Sequence, residues 1–277
     1  MGVEPGDQTI YRGGNVIRYL RLFGYFVRFS ISRAMEFRLD FFFRIVMDLL
    51  YYGVNIAFYR VIFLHTSNLG GWTEPQIMVF VSIYLLIDAI HMTLFSNNIW
   101  WLPTYINRGD LDYYIVRPVS SLFFVSLRDF AANSFVNLIL AFGISIWALE
   151  SLPGGLSAGR VFIYYALALN GTFVSYLIYL LMLLPVFWTH SGRGLEYFHM
   201  AVSKFQERPD RIFSGWIHRV IVSVLPLALV ASFPARLVLE RFDLSLFAHL
   251  VAVTSILFGV TVAIWRRGLR NYSSASS

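Results

Sequence analysis

The stretch INRGDLDYYIVRPVS, residues 106–120, is a compact polar segment between long apolar stretches at 76–96 and 122–149. It combines a glycine that frees the backbone, an aspartate able to cap a helix and a proline that ends one. The pattern predicts a short interfacial helix, which is too short to be stable in water unaided. We therefore expect the membrane surface to hold it on one side and a soluble partner protein on the other.

The composition indicates a polytopic membrane protein. Of 277 residues, 57% are hydrophobic, 18% are aromatic and only 14% are charged, which exceeds what a soluble domain could keep off its surface. The absence of cysteine excludes disulfides, thiolate metal sites and a cysteine nucleophile. The net charge of +6 favours contact with anionic lipid headgroups, and nucleic acid is not an expected partner.

Six stretches have the roughly 20 residues that a helix needs to cross the hydrocarbon core. They lie at 39–64, 76–96, 122–149, 161–188, 217–238 and 247–265. The sequence thus predicts an all-α protein with a six-helix transmembrane domain over 38–266. Arginines are concentrated in the amino-terminal region, in segment 106–120 and at the carboxyl end. This distribution places both predicted tails, 1–14 and 267–277, in the cytoplasm.

Residues 15–37 predict an amphipathic helix that lies in the headgroup layer. Apolar residues fall on one face at steps of three and four, and arginines point the other way. Low net hydrophobicity with this arrangement is typical of an interfacial helix. We expect it to anchor the chain at the membrane surface, next to the first crossing.

Two prolines leave the fifth stretch open to two interpretations. Pro226 and Pro234 both lie within 217–238, and each removes a helix hydrogen bond. In one interpretation 217–238 crosses the membrane. In the other, 190–207 crosses and 212–240 is a broken re-entrant pair along a translocation path. Both interpretations return the carboxyl terminus to the cytoplasm.

Charged residues inside the predicted crossings form an intramembrane network of two groups. Asp40, Arg44 and Asp48 follow one another at four-residue steps, so the arginine can pair with either carboxylate. Asp88 and His91 lie three residues apart in the second crossing, as either a hydrogen-bonded pair or a proton relay. The alternative function is therefore an ion-coupled carrier or channel that uses Asp88 and His91.

The sequence lacks the motifs of an enzyme site. A phosphate-binding loop needs glycines before a Lys-Ser or Lys-Thr pair, but Lys204 is followed by Phe205. The histidines include no pair at metal-binding helix spacing, and no Gly-x-Ser-x-Gly elbow occurs. We expect no catalytic, metal or cofactor site, and energy from a separate subunit or an ion gradient.

Two stretches carry a resemblance to a known family. Residues 109–120 resemble the coupling segment of permease subunits in type-2 ATP-binding-cassette exporters, with a glycine, a spaced leucine, an apolar pair and Pro-Val. The proline-marked stretch within 209–240 is similar to the region before the last helix of that superfamily. The similarity extends from about residue 15 to residue 272, and the chain is most similar to the two-permease branch.

This resemblance implies a permease subunit of an ATP-driven exporter in the inner (cytoplasmic) membrane, surrounded by lipid. It would form half of a dimeric path, as a homodimer or with a related permease, and partner ATPase subunits would hold the ATP and magnesium. ATPase contact is expected at Gly109, Asp110, Leu111, Tyr113, Tyr114, Arg117 and Pro118. In this hypothesis ATP-driven closure moves the short cytoplasmic helix, and rigid second and third crossings carry the displacement.

Overall fold

The computed structural model describes residues 15–34, 38–131 and 134–272. These residues form helices and turns with no β-strand among them, which confirms the all-α prediction. The first seven helices are α1 (Asn15–Ala34), α2 (Arg38–Phe63), α3 (Glu74–His91), α4 (Asn97–Trp100), α5 (Leu102–Arg108), α6 (Asp112–Ile115) and α7 (Ser121–Leu127). The next seven are α8 (Ser134–Glu150), α9 (Ala158–Leu183), α10 (Val186–Thr189), α11 (Arg193–Ser203), α12 (Gly215–Arg219), α13 (Ser232–Leu239) and α14 (Leu244–Asn271).

The predicted boundaries differ from the observed ones at both ends. The amphipathic helix predicted over 15–37 corresponds to α1, which ends at Ala34. Residues 35–37 and the predicted tail 1–14 lie outside the described residues. At the carboxyl end, α14 continues to Asn271, so the first residues of the predicted tail 267–277 are helical.

Within the part of the chain that the structure describes, four helical stretches are long and apolar enough to cross a membrane. They are Ile45–Phe63, Glu74–Arg108, Ala158–Thr189 and Leu244–Asn271. Helix α8, with 17 residues, is a shorter apolar helix. These helices confirm the prediction of a polytopic membrane protein, because apolar helices of this length match the thickness of the hydrocarbon core.

Helices α3 and α9 form the centre of the bundle. Helix α3 begins at a capping box in which the Thr73 N–H donates to Gln76 Oε1 at 3.0 Å. It packs against α2, α8 and α9, and most of its side chains are buried. Helices α2 and α14 instead leave most of their apolar surface exposed within the single chain. That surface is available to lipid or to a partner subunit.

The crossing predicted over 122–149 is not one continuous helix, so this detail of the prediction is wrong. Helix α7 ends at Leu127, and α8 begins at Ser134. Between them, the Asn98 side chain accepts from the Asp129 N–H at 3.0 Å and donates to the Asp129 carbonyl at 2.7 Å. Because the side-chain amide supplies partners for the backbone of Asp129, the helix can stop here without losing hydrogen bonds.

The interpretation with a straight crossing over 217–238 is also wrong. Helix α12 continues through a π-helical turn to Val224, and Leu225 leaves helical geometry at φ −114° and ψ 87°. Pro226 follows, and its ring nitrogen has no hydrogen to continue the helix. Pro234 breaks nothing, because it lies in the first turn of α13, where a helix tolerates proline.

Residues 190–211 connect opposite ends of the bundle. At one end, the His190 carbonyl accepts from the Asn107 side-chain amide at 3.1 Å, beside the last turn of α5. At the other end, Arg211 pairs with Glu240 at 2.7 Å, near the turn that precedes α3. We call the second end the far end of the bundle.

Residues 212–239 enter the bundle from the far end and return to it. The middle of this segment approaches Gly171, halfway along α9. A Cβ atom at Gly171 would lie 2.2 Å from the Val230 carbonyl oxygen and 2.6 Å from Ile87 Cδ1. Only glycine leaves room for the backbone of the segment at this depth. At the far end, the Asp210 N–H donates to Ser232 Oγ at 3.0 Å and holds the two limbs together.

Candidate functional site

The polar segment, residues 106–120, is shaped by a turn at Gly109. This glycine follows α5 with a φ of +82°, a left-handed conformation that other residues disfavour. The chain then folds back, and the Leu111 N–H donates to the Tyr105 carbonyl at 3.2 Å. Helix α6 begins at the next residue, Asp112.

The caps of α6 differ in part from the prediction. Leu111 occupies the position before the helix, and no side chain accepts a hydrogen bond there. The predicted capping by an aspartate is therefore not formed at this helix. At the other end, α6 stops at Ile115, and Pro118 lies shortly beyond it, as is usual after a helix terminus.

Helix α6 has a buried side and an exposed side. Leu111 is fully buried, and Tyr114 is 6% exposed, both within an apolar cluster that includes residues of α9. Tyr113 is 61% exposed, and Val116 is 79% exposed. Direct ATPase contact at Leu111 and Tyr114 stays a prediction, and the chain's own core covers both side chains.

The rest of the exposed side is polar. Asp110, Arg117 and Pro118 are exposed. The Arg117 guanidinium lies 4.4 Å from the centroid of the Tyr113 ring, in a cation–π contact. An acid, a base and an aromatic ring thus lie together on one surface.

Arg128, just after α7, holds the buried side of the polar segment. Its guanidinium donates to the hydroxyls of Tyr105 and Tyr114. It also lies 4.6 Å from the Tyr105 ring centroid and 4.7 Å from that of Tyr114. The sequence does not identify Arg128 as a site residue, because no local pattern links it to the distant Tyr105 and Tyr114.

Helix α1 and the end of α14 also contact the polar segment. The Ser120 N–H donates to the Tyr19 hydroxyl of α1 at 3.0 Å. Tyr272, directly after α14, lies near Asp112. Burial raises the pKa of Tyr272, and the Asp112 carboxylate raises it further. The polar segment therefore connects the first and last described helices of the chain.

A polar cavity of about 550 Å³ lies between α2, α3, α9 and α11. Asp48, Asp88 and His91 all line this cavity. The structure thus brings together three of the five residues predicted as an intramembrane charge network. The side chains of the other two, Asp40 and Arg44, lie outside the part of the chain that the structure describes.

The three carboxylates of the polar cavity differ in their partners. Asp48 accepts a hydrogen bond from the Asn137 side-chain amide. Glu207 pairs with Lys204 at 2.9 Å. Asp88 makes no hydrogen bond and no ion pair with the described residues, although Asp48, Glu207 and Lys204 are close enough to act on it electrostatically.

The predicted pair of Asp88 and His91 is not formed. His91 Nε2 is buried and has no hydrogen-bond partner among the described residues. The His91 ring centroid lies 6.1 Å from that of Tyr179, which stacks on His199 of α11 at 3.8 Å. The alternative of a hydrogen-bonded pair is therefore wrong, and the proton relay stays a prediction without a direct contact between the two residues.

Helix α11 and the turn after it supply cavity residues that sequence reasoning did not select as a site. His199, Ser203 and Gln206 line the cavity, and so do Lys204 and Glu207. The first three lie at steps of four and three, which places them on one face of a helix. This periodicity in an otherwise exposed, amphipathic stretch is the signal that could have found them.

The far-end cluster consists of Asp210, Arg211, His218, Arg236 and Glu240. Asp210 is 1% exposed, with His218 Nε2 at 3.4 Å and Arg236 Nη1 at 3.7 Å from its carboxylate. Glu240 accepts from Arg211 Nη2 at 2.9 Å and from Trp72 Nε1 at 3.1 Å. These contacts fix both limbs of the segment that contains Pro226 and Pro234.

A comparison with protein families matches residues 49–276 to the family described as ABC-2 family transporter protein. No curated protein and no solved structure matches the chain. The family match includes the polar segment, the far-end cluster and the residues of the polar cavity other than Met47 and Asp48, and it covers well over half of the sequence. With its apolar helices, the chain therefore belongs to the ABC-2 transporter family, as a membrane-embedded permease subunit that works with ATPase subunits.

Proposed function

We propose that this permease is half of a dimeric exporter and that the exposed side of its polar segment docks an ATPase subunit. The observation that carries the proposal is the two-sided burial of α6. Tyr113 and Val116 are exposed, whereas Leu111 and Tyr114 anchor the same turns in the core. A short helix needs such an anchor to present a stable surface. Aromatic side chains on that surface are well suited to fill a groove of a partner protein.

The charged residues of the exposed side set the register of docking. Asp110 and Arg117 lie on either side of Tyr113 in the sequence. Opposite charges at the rim of an interface favour one orientation of the partner and repel others. ATP and magnesium are bound by the ATPase, and this chain supplies the surface that its movement displaces.

The proposed topology has six crossings with the polar segment in the cytoplasm. Residues 190–211 form the fifth crossing, and 212–240 form a re-entrant pair from the outer face. The approach of Val230 to Gly171 supports this arrangement, because irregular backbone at membrane depth needs protein around it. The arginines near the polar segment support a cytoplasmic location in the inner membrane, with both termini on that side.

A second permease, identical or related, would cover the exposed surface of α2 and α11. None of the residues of α11 is buried in the single chain. Tyr197 is 72% exposed, and Met47 of α2 is 64% exposed. A dimer in this arrangement would place the polar cavity close to the central path, and lipid would cover the remaining apolar surface.

Co-purification tests the docking role. The chain is co-expressed with its ATPase and purified in mild detergent, with and without nucleotide. We expect Val116→Asp to remove the ATPase, because a desolvated carboxylate on the docking surface is costly. The matched control is Leu244→Asp at the far end, where Leu244 is 71% exposed.

Size-exclusion chromatography shows whether both variants stay folded. The proposal fails if the wild-type chain binds no ATPase under any nucleotide condition. It also fails if Val116→Asp retains as much ATPase as Leu244→Asp.

A further inference from the structure

We infer that the polar cavity is a binding site for an organic cation that combines an apolar body with hydrogen-bonding groups. The inference rests on the proposed function in that the cation would be the exporter's cargo. The site itself is defined by residues of this chain alone.

The charges in the polar cavity favour a cation. Among the described residues that line the cavity, Asp48, Asp88 and Glu207 supply three carboxylates, and Lys204 supplies one ammonium group. Lys204 is 68% exposed and pairs with Glu207, and the partner of Asp48 is the neutral amide of Asn137. Asp88 is left without an ion-pair partner among the described residues. A carboxylate at membrane depth is expensive unless a positive charge lies close to it.

Two buried polar groups that line the cavity lack a hydrogen-bond partner among the described residues. His91 Nε2 and Gln206 Nε2 have no hydrogen bond among the described residues. His91 is 8% exposed, Gln206 is 6% exposed, and both line the cavity. A buried polar group that lacks a partner costs about 1 to 3 kcal/mol. A ligand with an N–H group for the imidazole and an oxygen for the amide would satisfy both.

The walls of the cavity suit the apolar body of such a cation. The aromatic rings of Tyr51, Tyr84, Tyr179 and Trp100 line it, and aromatic faces attract cations. Three methionines, Met47, Met92 and Met200, complete the lining, with exposures of 64%, 44% and 54%. Methionine is flexible and polarisable, so a rim of this kind adapts to ligands of different shape.

The size and the ligand set distinguish this cavity from an ion site. About 550 Å³ is within the range of pockets for drug-sized molecules. Within the described residues, no group of three or more His, Asp or Glu side chains is arranged to hold a metal ion. Three carboxylates also repel anionic molecules from a cavity of low dielectric.

Two dyes of the same ring system and opposite charge test the inference. The full chain is placed in nanodiscs of neutral lipid, and dye binding is followed by fluorescence anisotropy against empty nanodiscs. We expect saturable binding of rhodamine 6G, a cation with N–H groups and an ester, and none of fluorescein, an anion. Equal binding of the two dyes, or no binding of rhodamine 6G, would overturn the inference.

Matched variants locate the site. Asp88→Asn should weaken rhodamine 6G binding at least about tenfold, as expected for the loss of a buried charge partner. The control Glu150→Gln, at the exposed end of α8, should leave it unchanged. If Asp88→Asn binds as tightly as the wild-type chain, the cavity is not the site.

A second variant separates binding from folding. Gln206→Met should weaken binding about fivefold, the value of one hydrogen bond. It should also keep or raise the melting temperature, because the buried amide has no partner to lose. A lower melting temperature with unchanged binding would show that Gln206 is structural and would count against the site.

The outcomes also separate this inference from the proposed function. Dye binding needs no ATPase, and ATPase co-purification needs no dye. If Val116→Asp releases the ATPase but rhodamine 6G does not bind, only the cation site is wrong. If binding depends on Asp88 but no ATPase associates with the chain, the site remains and the proposed coupling fails.

Discussion

The two ends of the helix bundle are held by different chemistry. At the polar segment, Arg128 donates to the neutral hydroxyls of Tyr105 and Tyr114. At the far end, Arg211 pairs with the Glu240 carboxylate, and about a third of each side chain is exposed. Salt screens an exposed ion pair, but it has little effect on a guanidinium bonded to neutral, part-buried hydroxyls. The difference indicates that salt leaves the contacts of Arg128 at the polar segment nearly unchanged, whereas it weakens the ion pair of Arg211 and Glu240 at the far end.

The largest loss of stability is expected at Gly171, where residues 212–239 reach the centre of the bundle. Gly171→Ala would place a Cβ atom 2.2 Å from the Val230 carbonyl oxygen, which is backbone and cannot rotate away. We expect a loss of about 3 kcal/mol, the upper part of the range for overpacked cores. Thermal unfolding in detergent measures it, and ATPase co-purification shows whether the damage stays at the far end.

Gly143→Ala is the matched control for that variant. Gly143 lies in α8, and a Cβ atom there would meet no heavy atom within 4 Å. Alanine should therefore raise stability slightly, because glycine costs a helix roughly 0.5 to 1 kcal/mol. If both variants behave alike, the segment does not pack against Gly171. If Gly171→Ala also abolishes ATPase binding, the two ends are not independent.

The next largest loss of stability is expected at the polar segment. Arg128→Met removes a charged donor from two tyrosine hydroxyls and should cost about 2 kcal/mol. The melting temperature should fall by the same amount at low and at high salt. Arg117→Met, which loses only an exposed cation–π contact with Tyr113, should change stability by less than about 1 kcal/mol. Equal losses in the two variants would contradict a special role for Arg128.

The smallest loss of stability is expected at the far end, and it should depend on the salt concentration. Arg211→Met removes a part-exposed ion pair, so we expect a loss of about 0.5 kcal/mol at low ionic strength. At about 1 M salt, where the screening length is about 3 Å, the variant and the wild-type chain should unfold at the same temperature. A difference that persists in high salt would mean that both ends are fixed in the same way.

Much of the fold follows from local patterns in the sequence. Apolar stretches of sufficient length predict the long helices, and steps of three and four predict α1. The glycine and the proline of residues 109–118 predict the turn and the short helix α6. In each case, neighbours within one or two turns decide the structure, so a single sequence contains the information.

The remaining features depend on contacts between distant residues. Asn98 ends the helix around Asp129 through its side chain, and Arg128 reaches back to Tyr105 and Tyr114. No regular residue spacing in the sequence predicts contacts between such distant residues. The sequence predicts Asp88 and His91 as intramembrane polar residues, because they are conspicuous in an apolar helix, but it does not predict the cavity that they line. The residues near Gln206 on its other wall belong to a stretch whose crossing the sequence leaves open, because its polar residues disfavour membrane depth.

The interruption between α7 and α8 bears on the proposed coupling, because it divides the third predicted crossing into two helices. A continuous third helix would act as a lever arm and carry a push at α6 along its whole length. The helix instead stops at Asp129, where the Asn98 side chain bonds the backbone, so α7 and α8 are separate helices. In the proposed coupling, a displacement of α6 would then pass through Leu111 and Tyr114 into α9, whose middle lies against Val230. A mechanical signal that starts at one membrane face would thus reach the other through a single central strut.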